Sequence, residues 1–256
     1  MLKIISTGKG GVGKTTTIST LATAMAREGK RILLFDTDPS MNLAMTLGLP
    51  YLEVPTITEN KESINHELDE EDPVVVGRNI LENYSKVNRD GIRIVVMGAS
   101  PEEGTGCLCS AISIVKILLG YVDSENCPER YDVAFVDSQA GPEILGRGLA
   151  KDFDCNLILT EPTPKSAEVS RQVASLAKNL GIERNILVVN KSESDEDPAR
   201  IASLIGMDVT DAVRIRFDHS VIEADRTNRC LLDDFSGCDA VMDINALKDK
   251  LDSIKG

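Results

Sequence analysis

The run Gly8-Lys9-Gly10-Gly11-Val12-Gly13-Lys14-Thr15 limits what this chain can fold into more than any other stretch of its 256 residues. It follows the apolar segment Leu2-Lys3-Ile4-Ile5 and leads into a helical pattern from Thr16 to Arg27. A strand that enters a glycine-rich turn and leaves it as a helix lets successive backbone N–H groups curl round a polyphosphate. In that arrangement Lys14 meets the β- and γ-oxygens and Thr15 is a magnesium ligand. A plain glycine-rich turn would account for the glycines but not for the Lys-Thr pair that ends them.

The remaining apolar runs fit around such a loop. Arg31-Ile32-Leu33-Leu34-Phe35 reads as a buried parallel strand that ends in Asp36-Thr37-Asp38-Pro39, and Tyr131 to Val136 as another that ends in Asp137. Ligands of open parallel sheets sit beyond the carboxyl ends of the strands, so these carboxylates are expected to face a nucleotide. Asp137 takes the place of the Walker B magnesium residue, and Gly141 is free to move with the γ-phosphate as a switch. Further strands are expected at Ile92–Met97, Cys155–Thr160 and Asn185–Asn190, an apolar helix at Ser110–Tyr121 and an amphipathic helix at Ser166–Asn179. The alternation predicts one α/β domain over residues 1–256, a P-loop NTPase with a mostly parallel central sheet and helices on both faces. Asn42 either caps the short helix that follows it or contacts phosphate. Between Pro50 and Asp90 the periodicity weakens, and the acidic stretch Glu59 to Asp72 reads as a solvated helix and loop with His66 on its surface.

Two of the six cysteines stand close together, in Gly104-Thr105-Gly106-Cys107-Leu108-Cys109. On an extended backbone, side chains repeat with period two, so both thiols can point the same way. One pair supplies only two ligands, and a twofold axis at this loop would bring the pairs of two chains into one S4 site for nickel or zinc. The alternative is a pair of structural cysteines at a helix start. Cys127, Cys155, Cys230 and Cys238 lack ligand spacing and read as structural.

Charge narrows the partners. A net charge of −13 works against a nucleic-acid surface or an anionic membrane. No apolar run is long enough to span a bilayer, and the start Met1-Leu2-Lys3 leads directly into a strand; a cytoplasmic location is expected. The last helix carries Leu247, Leu251 and Ile254 on one face and mixed charges elsewhere, which suits docking on the sheet rather than anchoring in lipid.

Lys9 and the residues after it, Gly10-Gly11-Val12-Gly13-Lys14-Thr15-Thr16, resemble the deviant loop of the MinD/ParA/nitrogenase iron protein class of ATPases. The Cys-x-Cys pair and the segment Asp137-Ser138-Gln139-Ala140-Gly141-Pro142-Glu143 narrow the resemblance to the CooC-type accessory ATPases of carbon monoxide dehydrogenase, although Gln139, Ile144 and Leu149 depart from that pattern. The resemblance implies ATP or ADP and Mg2+ as cofactors. Its nucleotide contacts are Gly8, Lys9, Gly10, Gly11, Val12, Gly13, Lys14, Thr15 and Thr16, with Asn190 reading the adenine edge. Backbone near Val213 to Asp218, which carries Arg216 where proline is common, would border the base. It implies catalysis by Lys9 acting across a homodimer, by Lys14, and by Asp38 positioning water, with Thr15, Asp36 and Asp137 around magnesium. It further implies Ni2+ or Zn2+ at Cys107 and Cys109, and an apo-metalloenzyme client, carbon monoxide dehydrogenase. Two other readings share the same core: a positioning ATPase of the MinD/ParA kind, and an iron–sulfur ATPase like the nitrogenase iron protein.

Overall fold

The computed structural model describes residues 1–99, 107–142, 145 and 153–255, with side chains at all of these but 51, 70, 107–112 and 255. In chain order its elements are β1 (Leu2–Gly8), α1 (Lys14–Arg27), β2 (Ile32–Asp36), α2 (Asn42–Thr46), α3 (Lys61–Glu70), α4 (Pro73–Asn83), β3 (Ser85–Val87) and β4 (Arg93–Val96). There follow α5 (Cys107–Asp123), β5 (Val133–Asp137), β6 (Cys155–Thr160), α6 (Pro164–Asn179), β7 (Arg184–Ser192), α7 (Asp197–Ile205), β8 (Ala212–Arg216), α8 (His219–Arg226), α9 (Leu231–Asp234) and α10 (Asp239–Asp252). The strands form one sheet in the order β3-β4-β2-β5-β1-β6-β7-β8. Only β3, at the edge, runs antiparallel to its neighbour.

Near-continuous Val, Ile and Leu in the inner strands is what a sheet covered on both faces requires. Successive residues of one strand point to opposite faces, and Ile4 and Ile5 accordingly belong to different cores. Ile5, Phe35 and Val136 pack with Ile80 of α4, Leu118 of α5, Val173 of α6 and Ile201 of α7. Ile4, Leu34 and Phe135 pack with Ile18 and Leu21 of α1 and with Leu247 and Leu251 of α10. All of these side chains are fully buried. Each such burial contributes about 1.5–3 kcal/mol, so the two cores rather than helix propensity hold the layers together.

From 50 to 90, where the periodicity weakens, the chain forms α3, α4 and β3; α4 buries Val76, Ile80 and Leu81, and β3 extends the sheet. The acidic stretch 59–72 is a helix and loop, largely exposed, with Ile64 buried on one side of α3. Asp72 caps α4 by accepting from the Val74 N–H at 2.8 Å, with Pro73 as the first helical residue. His66 does lie on the exposed side of α3. The burial of α4 depends on α5, which packs against it and lies far along the chain. Asn42 does not cap α2; Met41 holds the cap position at a left-handed φ of 51°, and the Asn42 amide donates to the Ser40 hydroxyl.

Candidate functional site

Strand pairing brings the carboxyl ends of β1, β2 and β5 side by side. Asp137 is in register with Ser6 on one side and Asp36 on the other, at the mouth of the loop that joins β1 to α1. Two glycines give that loop its path. Gly8 has φ 143° and Gly13 φ 91°; a Cβ at Gly8 would lie 2.2 Å from the Leu159 carbonyl oxygen, and one at Gly13 would lie 2.3 Å from Asn190 Nδ2. No side chain fits at either position.

The loop is fastened from outside. Asn190 Nδ2 donates to the Val12 carbonyl at 2.8 Å, and Lys191 Nζ donates to the Gly11 carbonyl at 2.8 Å and to Glu161 at 2.6 Å. Lys191 reaches this position with a left-handed φ of 55°. Holding successive carbonyls on the outer side of the turn is what a loop needs if its N–H groups are to serve an anion. The Gly141 N–H donates to the Gly8 carbonyl at 2.9 Å, so the segment after Asp137 touches the start of the loop directly.

Charge is buried at this end. Lys14 is almost fully buried, and its ammonium donates to the Lys9 carbonyl at 3.4 Å. Burial lowers its pKa, against the opposing pull of Asp137 and Asp38. Asp36 and Asp137 are both buried on adjacent strands. Burial, reinforced by the neighbouring Asp137, pushes the Asp36 carboxyl up to about 8. Burial also raises Asp137, while hydrogen bonds from Thr15 and Ser6 pull it down. The Thr15 hydroxyl donates to Asp137 at 2.6 Å and the Ser6 hydroxyl at 3.0 Å. Asp36 accepts from the N–H groups of Asp38 and Leu43 at 3.1 and 3.2 Å.

Two buried carboxylates, with the Thr15 hydroxyl bonded to Asp137, offer a hard set of oxygen ligands. That chemistry fits Mg2+, which keeps several waters and takes only one or two side chains alongside phosphate oxygens. Among the described residues there is no group of three or more His, Cys, Asp or Glu arranged to hold a metal ion, and an ion held mainly by phosphate and water needs none. Asp38 lies at the rim, half-buried, and accepts from the N–H and hydroxyl of Ser40 at 2.9 and 2.6 Å. Lys9 is half-buried.

Beyond the loop lies a cleft of about 340 Å³, lined by Gly13, Thr16, Asn190, Ile215, Phe217 and Ile222 among others. It is the natural place for a base attached to phosphates at Gly13–Thr16. Asn190 lines this cleft, and part of its amide is committed: Nδ2 to Val12, and Oδ1 as acceptor from the Lys191 N–H at 2.9 Å. His219 is the first residue of α8, its ring edge-on to Phe217 at 5.1 Å.

The Cys-x-Cys pair begins α5, three residues earlier than the helix expected from Ser110. Its backbone is helical and not extended, so the period-two argument for two thiols on one side does not apply. The side chains of Cys107 and Cys109, the loop 100–106, and Glu143, Ile144 and 146–149 lie outside the described residues. Cys127 and Cys155 are buried, and Cys230 and Cys238 half-buried, all as free thiols. Ser6, Glu161 and Lys191 are contacts that motif reading passed over. Ser6 could have been found only by knowing that β1 and β5 are neighbours.

Among the described residues no helix is long and apolar enough to cross a membrane. Residues 3–232 match the family described as CobQ/CobB/MinD/ParA nucleotide binding domain. The chain is 31% identical to the carbon monoxide dehydrogenase accessory protein CooC of Rhodospirillum rubrum, over 93% of this chain and 92% of that protein. It is 30% identical to the light-independent protochlorophyllide reductase iron-sulfur ATP-binding protein of Halorhodospira halophila, over 78% of this chain and 64% of that one. The cell division protein MinD of Aquifex aeolicus has the same fold, with a TM-score of 0.72 at 22% identity over 99% of this chain and 97% of that one. A phosphate loop with two buried carboxylates beside it, matched over most of its length, thus assigns the chain to the CobQ/CobB/MinD/ParA nucleotide-binding family and makes it an ATPase.

Proposed function

We propose that this ATPase is a cytoplasmic metallochaperone. Two copies close on ATP, Cys107 and Cys109 of each hold a Ni2+ or Zn2+ ion as cargo, and hydrolysis releases the ion to an apo-metalloenzyme, with carbon monoxide dehydrogenase as the client. The observation that carries this reading is near full-length similarity to a carbon monoxide dehydrogenase accessory protein in a chain that has a Cys-x-Cys at the head of α5.

In this reading Lys14 draws the β- and γ-phosphate oxygens into the loop, and the N–H groups from Gly8 to Thr16 complete the cradle. Asp38 orients the attacking water at the rim. Lys9 of the partner subunit offsets the charge that develops on the γ-phosphoryl group, as an arginine finger does. Thr15, Asp36 and Asp137 hold the magnesium, which when bound neutralises charge on the β- and γ-oxygens. Asn190 keeps the loop in shape through Val12 and has one amide hydrogen left for the base.

Met97, which follows β4, donates its N–H to the Asp36 carbonyl at 2.9 Å, so the strand that precedes the Cys-x-Cys segment in the chain is bonded to the carboxylate end of β2. A second reading is favoured by the likeness to an iron–sulfur ATP-binding protein: the four thiolates of a dimer also suit a cluster.

The test is anaerobic gel filtration with light scattering and elemental analysis, with nickel or zinc added, with and without ATP. About one metal per dimer is expected, lost in the Cys107→Ala/Cys109→Ala variant while its ATP affinity stays within about twofold of the parent. Dimerisation that depends on ATP alone, in metal-free protein, would overturn the proposal. Strong visible charge-transfer absorption in the purified protein would favour the cluster instead.

A further inference from the structure

Arg216 ends β8, at the point where the chain turns into α8 along one wall of the 340 Å³ cleft. An arginine at the rim of an apolar cleft must direct its charge somewhere, and here every bond goes to α10. Its Nε and Nη2 each donate to the Asp243 carboxylate at 2.9 Å, a two-pronged pair, and its main-chain N–H donates to the same carboxylate at 2.8 Å. Nη1 lies 2.9 Å from the Asp239 carboxylate. Two residues on, Asp218 divides its own carboxylate: Oδ1 accepts from Ser220 N–H at 2.8 Å and caps α8, while Oδ2 accepts from Ala240 N–H at 3.3 Å.

The turn 216–218 is thus tied at both ends to the first half of one helix. That helix also contributes Ile244 to the cleft wall directly. The rest of α10 is anchored elsewhere: Leu247 and Leu251 are buried in the core that contains α1, and Lys248 pairs with Glu28 just beyond the end of α1. Paired charge-assisted bonds from a planar guanidinium fix direction as well as distance. Their partners here belong to a helix that is docked on the same core as the P-loop helix.

We propose that Arg216 is a positioning residue for the nucleotide base: its bonds to Asp239 and Asp243 hold Ile215 to Asp218 as the wall against which the base packs. This rests on the reading of the cleft as the base site. It makes α10 a determinant of how the base binds, while the phosphates depend on the loop after β1. Coupling is reciprocal, so the base in turn steadies the contact between β8 and α10.

The experiment compares two ligands, ATP and inorganic tripolyphosphate, both with magnesium, by titration calorimetry on the parent, Arg216→Ala, Arg216→Lys and Asp243→Asn proteins. The parent is expected to bind ATP more tightly than tripolyphosphate. Arg216→Ala and Asp243→Asn each weaken ATP about tenfold and leave tripolyphosphate within about twofold. Arg216→Lys restores little, because an ammonium cannot reproduce the fork. The Arg216→Ala/Asp243→Asn protein is no worse than either single variant, since both remove one interaction. Retention of parental ATP affinity by Arg216→Ala, or equal loss for both ligands, would overturn the proposal while leaving the base site intact. Equal affinity of the parent for ATP and tripolyphosphate would remove the base-site reading itself. Asp243→Asn leaves the arginine in place and carries the test should Arg216→Ala fail to fold.

Discussion

The phosphate end of the candidate site keeps its ionisable groups inside: Asp36 and Asp137 are buried at the ends of neighbouring strands, and Lys14 is buried at the start of α1, where Asp137 opposes the lowering of its pKa by burial. The base end keeps its charges on the rim, where Lys191 and Arg216 are at least partly exposed and tied to acidic residues from other elements. The first arrangement follows from a short continuous motif and two strand ends. The second is assembled from β6, β7, β8 and α10, far apart in sequence. Buried charges that compensate one another are intolerant of change, because removing one leaves the others without a partner in a poorly solvated place. Rim charges are screened and contribute less. Perturbation at the phosphate end should therefore cost far more than perturbation at the base end.

The largest effect is expected from Lys14→Ala, which takes the only buried cation among the described residues of the phosphate end away from Asp137. ATP affinity should fall by about a thousandfold or more, read by calorimetry or by displacement of a fluorescent nucleotide. A variant that still binds ATP within about tenfold of the parent would break the comparison, since the buried charges would then not dominate.

Gly13→Ala tests the join between the two ends. Its φ of 91° and the 2.3 Å approach to Asn190 mean that the added methyl must push Asn190 off the Val12 carbonyl. ATP and tripolyphosphate should both weaken, by about a hundredfold, because the loop loses shape even though no phosphate ligand is removed. Loss confined to ATP would show that Asn190 serves the base rather than the loop.

The smallest effect sharpens the picture of the buried acids. In magnesium-free protein Asp36 keeps its proton up to about 8 in the folded state, against an ordinary value of 3.8. Across that window the native state binds more protons than the unfolded one, so stability is greatest at the acidic end and falls as pH rises through it. The melting temperature without magnesium should drop by roughly 5 °C or more between about pH 5 and pH 8. Asp36→Asn should flatten the slope, and added magnesium should stabilise the protein more at the higher pH. A melting temperature that rises over the same interval would contradict the assignment.

The amino-acid sequence by itself determined the P-loop, the parallel sheet and the carboxylates at the ends of β2 and β5, because each depends on residues that are neighbours in the chain. A glycine that must adopt a positive φ, a lysine that follows it and an aspartate that ends an apolar run carry their reasons locally. Tertiary structure decided the rest. Ser6 meets Asp137 only because β1 lies beside β5, Asn190 and Lys191 fasten the loop only because β7 stands two strands away, and α4 is buried only because α5 covers it. The start of α5 at Cys107 likewise overrode the extended reading of Cys-x-Cys. Burial and strand order are properties of the packed chain, and they set which polar groups lose water and must answer one another.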